Sequence, residues 1–225
     1  MFNSKDITLV IPAKNESESL PNVLRELKKF KIKKHIILEK NDKKTIQSIK
    51  NYNCKIIYQR KRGYGDALIL GIKSVKTKYF CIFNADGSFN PRELNKMISK
   101  INKENLDFVF GTRYEKNCGS DDDTLITLIG NFIFTKIGKI FFNLNVSDIL
   151  YTYVLGKTNL AKNLNLKSKD FKFCIELPIK ANRKGYRLGN SPSYERSRIG
   201  GKKKVNAIRD GFLILLGMMS LFFNI

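Results

Sequence analysis

Residues 79–92, YFCIFNADGSFNPR, mark the passage from strand to helix around which we expect the fold to be organised. The apolar run at 79–83 is typical of a buried parallel strand. Turn-forming residues follow at 84–88. Pro91 predicts the first turn of a helix with Asn90 as its N-cap. Asp86 therefore lies at the carboxyl end of a strand, the edge at which open α/β sheets bind their ligands.

A carboxylate at that position has two interpretations. Together with neighbouring small oxygen-bearing residues, Asp86 suits a hard divalent cation and the diphosphate that such a cation bridges. It is equally consistent with a solvated aspartate in a strand-to-helix turn. The stretch alone leaves both open.

The first half of the chain alternates strands with helices. Predicted strands lie at 7–11, 35–38, 55–58, 79–83 and 107–110, and predicted helices at 17–30, 43–50, 66–74 and 91–103. This order predicts an α/β fold with a mostly parallel sheet and right-handed crossovers.

The second half is less regular. We expect an apolar helix at 125–142, a helix at 175–183, an extended segment at 187–194, and a basic loop at 195–204. The chain ends in an uncharged run of 15 residues at 211–225, which is short for a membrane span of about 20 residues. We predict one domain at 1–204 and a hydrophobic helix at 205–225. This helix either lies in a membrane interface or packs on the protein.

Composition limits the partners. Lysine and arginine number 42 against 20 acidic residues, which gives a net charge of +22. Such a chain should associate with polyanions or with an anionic membrane, unless the charge is spread evenly. Neither an aromatic RNA-binding signature nor zinc-finger spacing is present, so we predict no nucleic-acid partner.

Cysteine usage favours a cytoplasmic protein, and the positive charge together with the hydrophobic C-terminal run predicts a peripheral position on the inner face of the cell membrane. The four cysteines have no CxxC spacing and indicate reduced, packed thiols. A Ser-His-Asp triad would need the one histidine, His35, and nothing nearby favours it. The N-terminus shows no signal peptide.

At this point the chain resembles glycosyltransferase family 2, which has the Rossmann-like GT-A fold. Among its members, the chain is similar to polyprenyl-phosphate glycosyltransferases of the dolichol-phosphate mannosyltransferase type. The matching segments are LVIPAKNESESL, RGYGDALILGI, NADGSFNP, FGTRY, SDILYTYVLG, IELPIKA and YERSRIGGKKK. Each segment alone is weak evidence for the family, but the order and spacing of the segments together are specific to it.

The resemblance implies a nucleotide-diphospho-sugar donor, held by loops at the ends of the first strands and by the basic loop. Glu39 takes the first acidic place of the base-reading motif. The implied donor-binding residues are Pro12, Asn15, Glu16, Glu39, Arg62, Gly63, Gly65, Asn84, Asp86, Arg198, Lys203 and Lys204.

The resemblance also implies a divalent cation, Mg or Mn, on the donor diphosphate. Asp86 and Ser88 are the implied metal ligands. Asn84 replaces the first aspartate of the family's DxD motif, so we expect weak metal affinity, with the diphosphate completing the coordination.

Three residues are candidates for catalysis. Asp148 and Glu176 are the candidate bases for an acceptor hydroxyl, and Arg113 matches an arginine that faces the phosphates. Glu176 could instead pair with Lys180, and Arg113 with Glu115. The implied acceptor is a polyprenyl phosphate, which needs no base, or a growing surface glycan.

Two other functions stay open. The loss of the first aspartate is consistent with a catalytically silent, membrane-associated nucleotide-binding protein of the same fold. A nucleotidyltransferase is less favoured, because such enzymes open with a Gly-rich basic turn and this chain has PAKNES.

Overall fold

The computed structural model describes residues 4–115, 118–200 and 206–223. Its strands are β1 (Ile7–Pro12), β2 (Lys33–Glu39), β3 (Lys55–Gln59), β4 (Tyr79–Ile82), β5 (Phe108–Thr112), β6 (Gly119–Ser120), β7 (Val154–Lys157), β8 (Leu188–Pro192) and β9 (Tyr194–Glu195). Its α-helices are α1 (Leu20–Glu26), α2 (Lys43–Ser48), α3 (Tyr64–Ser74), α4 (Glu93–Lys103), α5 (Leu125–Phe142), α6 (Thr158–Lys162), α7 (Phe173–Arg183) and α8 (Ala207–Phe223).

Seven of these strands form one sheet, in the order β3-β2-β1-β4-β7-β5-β8. All neighbouring pairs are parallel except those of β7, which runs antiparallel to both β4 and β5. The mostly parallel α/β sheet predicted from the sequence is therefore confirmed. The strand β7 was not predicted, because its short apolar run follows directly on a loop.

Helices cover both faces of the sheet, so the core has two halves. One half packs α1 and α4 on the sheet, through residues such as Leu24 and Met97. The other packs α3, α7 and the ends of α5 and α8, through residues such as Leu68, Ile175 and Met218. Burial on both faces explains why the strands read as continuous apolar runs.

Four predicted helix starts differ from the structure, since the helices predicted from 17, 66, 91 and 175 begin at Leu20, Tyr64, Glu93 and Phe173. The helix predicted from 91 begins at Glu93 with Arg92 at the N-cap position. Asn90 instead closes a turn, in which its side chain accepts from the Arg92 backbone N–H and its carbonyl accepts from that of Glu93. The helix predicted from 17 begins at Leu20, with Pro21 in its first turn, and its last turn is a 3-10 helix at Leu27–Phe30.

The predicted C-terminal helix is present as α8, which lies against α5 and α7 and buries Ile214 and Met218. The domain division between 204 and 205 stays a prediction, since it falls within residues 201–205, outside the described part of the chain.

Glycine 71 sets how closely α3 approaches the sheet. A Cβ on Gly71 would lie 2.3 Å from a Val10 methyl and 2.8 Å from Ile37. We expect Gly71→Ala to lower the free energy of unfolding by about 1–3 kcal/mol, because extra volume in a packed core forces shifts. Gly130→Ala on α5 is the matched control, since nothing lies within 4 Å of its Cβ position. It should be neutral or stabilising by up to about 1 kcal/mol. Urea unfolding measures both, and equal effects would contradict the close approach.

Candidate active site

A cavity of about 710 Å³ lies at the carboxyl edge of the sheet. The segments that follow β1, β2, β4 and β5 supply much of its wall, and the start of α5 supplies another part. The polar residues around it are Lys14, Asn15, Glu16, Glu39, Gln59, Asn84, Asp86, Arg113, Asp122, Asp123, Thr127, Asn131, Thr152, Glu195 and Arg198. This is the edge at which the sequence placed Asp86, and the edge where such sheets bind ligands.

Asp86 is held by the turn that it starts. The backbone N–H and hydroxyl of Ser88 donate to Asp86 Oδ1 at 3.0 and 2.7 Å, and Asn84 Nδ2 donates to Ser88 Oγ at 3.3 Å. Ser88 is buried and does not line the cavity, so its position is that of a group that orients Asp86 rather than of a metal ligand. Asp86 Oδ2 faces Arg198, 3.8 Å away.

Residues 196–199 cross over this turn. The backbone N–H groups of Arg196 and Ile199 donate to the carbonyls of Ser88 and Asp86. Ile199 lies directly on Gly87, where a Cβ would come within 2.5 Å of it. Gly87 has φ of +87°, so both its conformation and its neighbour favour glycine. Of the predicted basic loop, Arg198 therefore reaches the site, while Lys203 and Lys204 lie outside the described residues.

Arg198 forms a two-bond ion pair with Asp122, at 3.1 and 2.8 Å. The Asp122 hydrogen bonds raise the pKa of Arg198, burial opposes this, and the nearby Asp86 carboxylate adds to the rise. A fixed cation thus lies between two cavity carboxylates, where it can bind an anionic ligand in exchange for one of them.

The end of β1 and the segment after it place the predicted donor-binding residues Pro12, Asn15 and Glu16 in the cavity wall. Asn15 has φ of +53°, and its N–H donates to Asp42. The Glu16 carboxylate accepts from Ser19 Oγ at 2.7 Å, and its N–H donates to Thr45. Side chains at the starts of helices α1 and α2 thus fix this segment.

Glu39 also lines the cavity, between two cations. Lys14 Nζ lies 3.2 Å and Arg62 Nε 3.7 Å from its carboxylate. Arg62 is largely exposed and is not part of the cavity wall. Since both pairs are exposed on the basic side, each contributes little to stability, and the cations stay available to a ligand.

The glycine turn before α3 is fixed by close backbone contacts. A Cβ on Gly63 would lie 2.1 Å from the Lys169 carbonyl oxygen, and a Cβ on Gly65 2.2 Å from that of Ser168. Gly63 also has φ of +128°. Both glycines are therefore required by the chain that lies on them, and Gly63 alone of the two lines the cavity.

Glu176 fixes that overlying chain from below. Its carboxylate accepts from the N–H groups of Lys167 and Ser168 at 2.8–3.1 Å and from Lys180 Nζ at 2.6 Å. It is buried and does not line the cavity. The structure therefore favours the Lys180 pair over a role as acceptor base, since every oxygen of Glu176 already accepts hydrogen bonds.

Arg113 is buried at the end of β5 and binds three carboxylates. It donates from Nε and Nη2 to Asp148 at 2.7 and 3.0 Å, and from Nη1 to Glu195 at 2.8 Å and Asp123 at 3.2 Å. Its guanidinium lies 4.6 Å from the Tyr151 ring centroid. Burial alone lowers the pKa of Arg113, but the charge of Asp148, followed by that of Glu195, outweighs it and the pKa is raised.

The predicted pairing of Arg113 with Glu115 is not formed. Glu115 instead accepts from Ser147 Oγ. Arg113 does line the cavity, as the prediction of a site arginine requires.

Asp148 has the wrong surroundings for the predicted base. It is fully buried and outside the cavity wall, and each of its oxygens accepts two hydrogen bonds. The donors are the Arg113 backbone and side chain and Asn131 Nδ2. A carboxylate so enclosed cannot reach an acceptor hydroxyl, so Asp148 positions Arg113.

Three further carboxylates line the cavity and were not predicted from the sequence: Asp122, Asp123 and Glu195. Asp123 is enclosed by Arg113, Tyr114 and Thr127. The Glu195 carboxylate is less enclosed than that of Asp123. Glu195 Oε2 accepts from Arg113 and Ser120, whereas Oε1 accepts no hydrogen bond from the described residues. The acidic run at 121–123 and the glutamate of YERSR were the available signals, but their role depends on long-range contacts.

The residues at Asp86 fit a divalent cation that shares its coordination with a ligand. Within the described residues no cluster of three or more His, Cys, Asp or Glu side chains could hold a metal by itself. Arg198 Nη2 lies 3.8 Å from Asp86 Oδ2, too far for a hydrogen bond. Asn84 also lines the cavity wall. One carboxylate and one amide oxygen suit Mg²⁺ or Mn²⁺ when phosphate oxygens complete the shell.

Comparison with known proteins supports the resemblance to glycosyltransferase family 2 as a whole. The family model described as glycosyl transferase family 2 matches residues 8–164, more than half of the chain. The chain belongs to glycosyl transferase family 2. It is therefore a glycosyltransferase, and the cavity at the carboxyl edge of its sheet is the candidate active site.

Individual relatives agree with this assignment. An uncharacterized protein of Methanocaldococcus jannaschii is 27% identical over 198 residues, which cover 85% of this chain and 82% of that protein. An uncharacterized glycosyltransferase of Mycobacterium tuberculosis is 24% identical, over 93% of this chain and 94% of its own. A solved structure, glucosyl-3-phosphoglycerate synthase from M. tuberculosis with Mn²⁺, UDP-glucose and phosphoglyceric acid, matches with a TM-score of 0.70 at 11% identity. The match covers 97% of this chain and 80% of that one and shows a shared fold.

For this glycosyltransferase, Asp148→Asn tests whether the residue positions Arg113 or acts as a base. We expect the free energy of unfolding to fall by about 3 kcal/mol, because the substitution removes one partner of a buried ion pair. Glu104→Gln is the control, since its ion pair with Lys100 is exposed and should cost less than about 1 kcal/mol. Denaturant unfolding measures both. An Asp148→Asn variant with wild-type stability and no transfer would restore the base assignment.

Proposed function

We propose that this family 2 glycosyltransferase moves a sugar, with inversion, from a nucleotide-diphospho-sugar to an acceptor hydroxyl with the help of a divalent cation. One observation carries the proposal. Asp86 and Glu195 line the same cavity, and each presents a carboxylate oxygen that its hydrogen bonds leave open. One carboxylate suits the donor diphosphate and the other suits the acceptor.

On the donor side, Asp86 and the amide oxygen of Asn84 would hold Mg²⁺ or Mn²⁺. The cation, when bound, supplies Lewis-acid stabilisation of the departing nucleoside diphosphate. The similar fold that binds Mn²⁺ and UDP-glucose makes UDP-sugars the first donors to test. Residues 12–16 would hold the nucleotide beside Glu39.

Arg198 would bind the diphosphate directly. In the structure it is paired with Asp122 and faces Asp86. A diphosphate at Asp86 would take over the guanidinium, since phosphate offers the same two-bond geometry. A fixed cation at this point also stabilises the charge that develops on the leaving group.

On the acceptor side, Glu195 would take the proton of the attacking hydroxyl. Arg113 and Ser120 hold its Oε2, which leaves Oε1 to accept the proton. Arg113, fixed in turn by Asp148, sets the direction of the carboxylate. An attack on the face of the sugar opposite the diphosphate gives inversion.

The charges around the acceptor side favour a hydroxyl over a polyprenyl phosphate. Asp122, Asp123 and Glu195 line this region, and Arg113 already binds three carboxylates. These carboxylates would repel the phosphate of a polyprenyl acceptor unless Arg113 exchanged one of them for that phosphate. We therefore propose a glycan hydroxyl as the acceptor, in the assembly of a cell-envelope polysaccharide.

One feature supports the lipid-phosphate acceptor as a second candidate. Tyr64, Ala67, Leu150 and Phe171 give the cavity an apolar wall, which would suit the first isoprene unit of a polyprenyl chain. The resemblance to polyprenyl-phosphate transferases supports the same alternative. The two candidates differ in their need for Glu195.

The donor site is tested by Asp86→Asn. We expect the rise in melting temperature caused by a UDP-sugar with Mn²⁺ to disappear, because ligand binding to the native state is what stabilises it. Transfer should fall by about a hundredfold or more, as for loss of a transition-state electrostatic contact. Asp6→Asn, exposed and outside the cavity, is the control. Wild-type protein that binds the nucleotide without any turnover would support the silent binding protein instead.

The acceptor site is tested by Glu195→Gln. With glycan acceptors we expect kcat to fall by about 10²–10⁴-fold, the usual contribution of a general base. The shift in melting temperature with donor should remain, since the glutamine can still accept from Arg113. Asp123→Asn is the matched control: it removes a charge beside the same arginine, but from a carboxylate already enclosed. Full transfer to a polyprenyl phosphate by the Glu195→Gln variant would identify the lipid phosphate as the acceptor.

A further inference from the structure

Helices α5 and α8 lie side by side and expose a continuous run of large apolar side chains, here called the α5–α8 surface. Phe222 of α8 packs edge-on against Phe141 and Phe142 of α5, with ring centroids 5.7 and 6.0 Å apart. The exposed members are Leu125, Ile126, Leu128, Ile129, Phe132, Ile133, Ile140 and Phe141 on α5, and Ile208, Phe212, Leu215, Leu216, Met219, Phe222 and Phe223 on α8. Clusters of many exposed large apolar side chains on soluble proteins mark binding surfaces.

The inner face of α5 is hydrogen-bonded into the domain. Asn131 donates to Asp148 and accepts from the Leu150 N–H, and Thr135 Oγ1 accepts from the Ile149 N–H. In the described residues, α5 is the one helix that is long and apolar enough to cross a membrane, with 18 residues and a mean hydropathy of 1.5. While these bonds hold, α5 stays packed on the domain, so its outer face rather than the whole helix is available to contact a bilayer.

Basic side chains border the surface. Lys136 Nζ lies 5.4 Å from the Phe132 ring centroid, and the Arg183 guanidinium lies 5.4 Å from that of Phe142. The Lys172 stem lies at Gly217 of α8. Long basic side chains that rest on apolar residues and present their charge at the edge suit a membrane interface with anionic headgroups. Helix α5 contains no acidic residue, and α8 contains one, Asp210.

We propose that the α5–α8 surface binds in the plane of an anionic lipid bilayer, with both helices parallel to the membrane. A second copy of the chain fits less well, because a two-fold contact would bring these basic borders together in a protein of net charge +22. Docking would also place the site near lipid. Thr127 and Asn131, on the other side of α5, line the active-site cavity, so one helix, about 10 Å thick, separates cavity and bilayer.

Vesicle sedimentation tests the proposal on the full chain, using phosphatidylcholine vesicles with and without phosphatidylglycerol. We expect wild-type protein to bind the anionic vesicles, and we expect added salt to weaken this binding. The variant Phe132→Glu/Phe212→Glu should bind at least about tenfold more weakly, since two exposed apolar anchors are lost. Tyr58→Glu is the matched control, because Tyr58 is also an exposed aromatic but lies on edge strand β3; it should bind as wild type.

Thermal unfolding with and without a UDP-sugar shows whether each variant is folded. Light scattering tests whether a second copy of the chain covers the surface instead. A dimeric wild type together with a monomeric double variant would overturn the proposal in favour of self-association. Equal vesicle binding by wild type and double variant would also overturn it. Because vesicle binding is measured without substrate, its failure is distinct from any failure of the proposed transfer reaction.

Discussion

The ion pair between Arg113 and Asp148 is the contact on which the candidate active site depends. Arg113 directly follows β5, and Asp148 comes from the loop between α5 and β7. Removing both charges from water is costly, and the cost is offset only when every donor and acceptor is satisfied. The structure supplies most of these partners: Asp148 accepts four hydrogen bonds, and Arg113 reaches two further carboxylates.

Through these further carboxylates the pair joins separate parts of the chain. Asp123 precedes the N-cap of α5, and Glu195 lies 82 residues beyond Arg113. The first turns of α5 and the strand β9 are therefore oriented by the same guanidinium that holds the acceptor-side carboxylate. A change at Arg113 would act on the fold and the site together, so its effect on activity alone could not identify its role.

The parts that local sequence determines were predictable. The parallel strands came from apolar runs bounded by turn residues, and Asp86 came from its position after one of them. The antiparallel β7 lacked such a signal, and the roles of Asp148 and Glu176 could not be read from the residues themselves. A carboxylate becomes a base or a support according to how many donors surround it, and for Asp148 and Glu195 the donors come from distant segments.

The pattern of α5 is the reverse of an ordinary surface helix. Its polar residues Asn131 and Thr135 face the protein, where they bond to the chain around Asp148, and most of its large apolar residues face outward. A helix normally buries its apolar stripe, because removal of that surface from water is the main gain on folding. Here the polar face helps to fix the Arg113–Asp148 ion pair. The apolar face of α5 stays exposed, so its burial would gain free energy only in contact with a partner such as the bilayer proposed above.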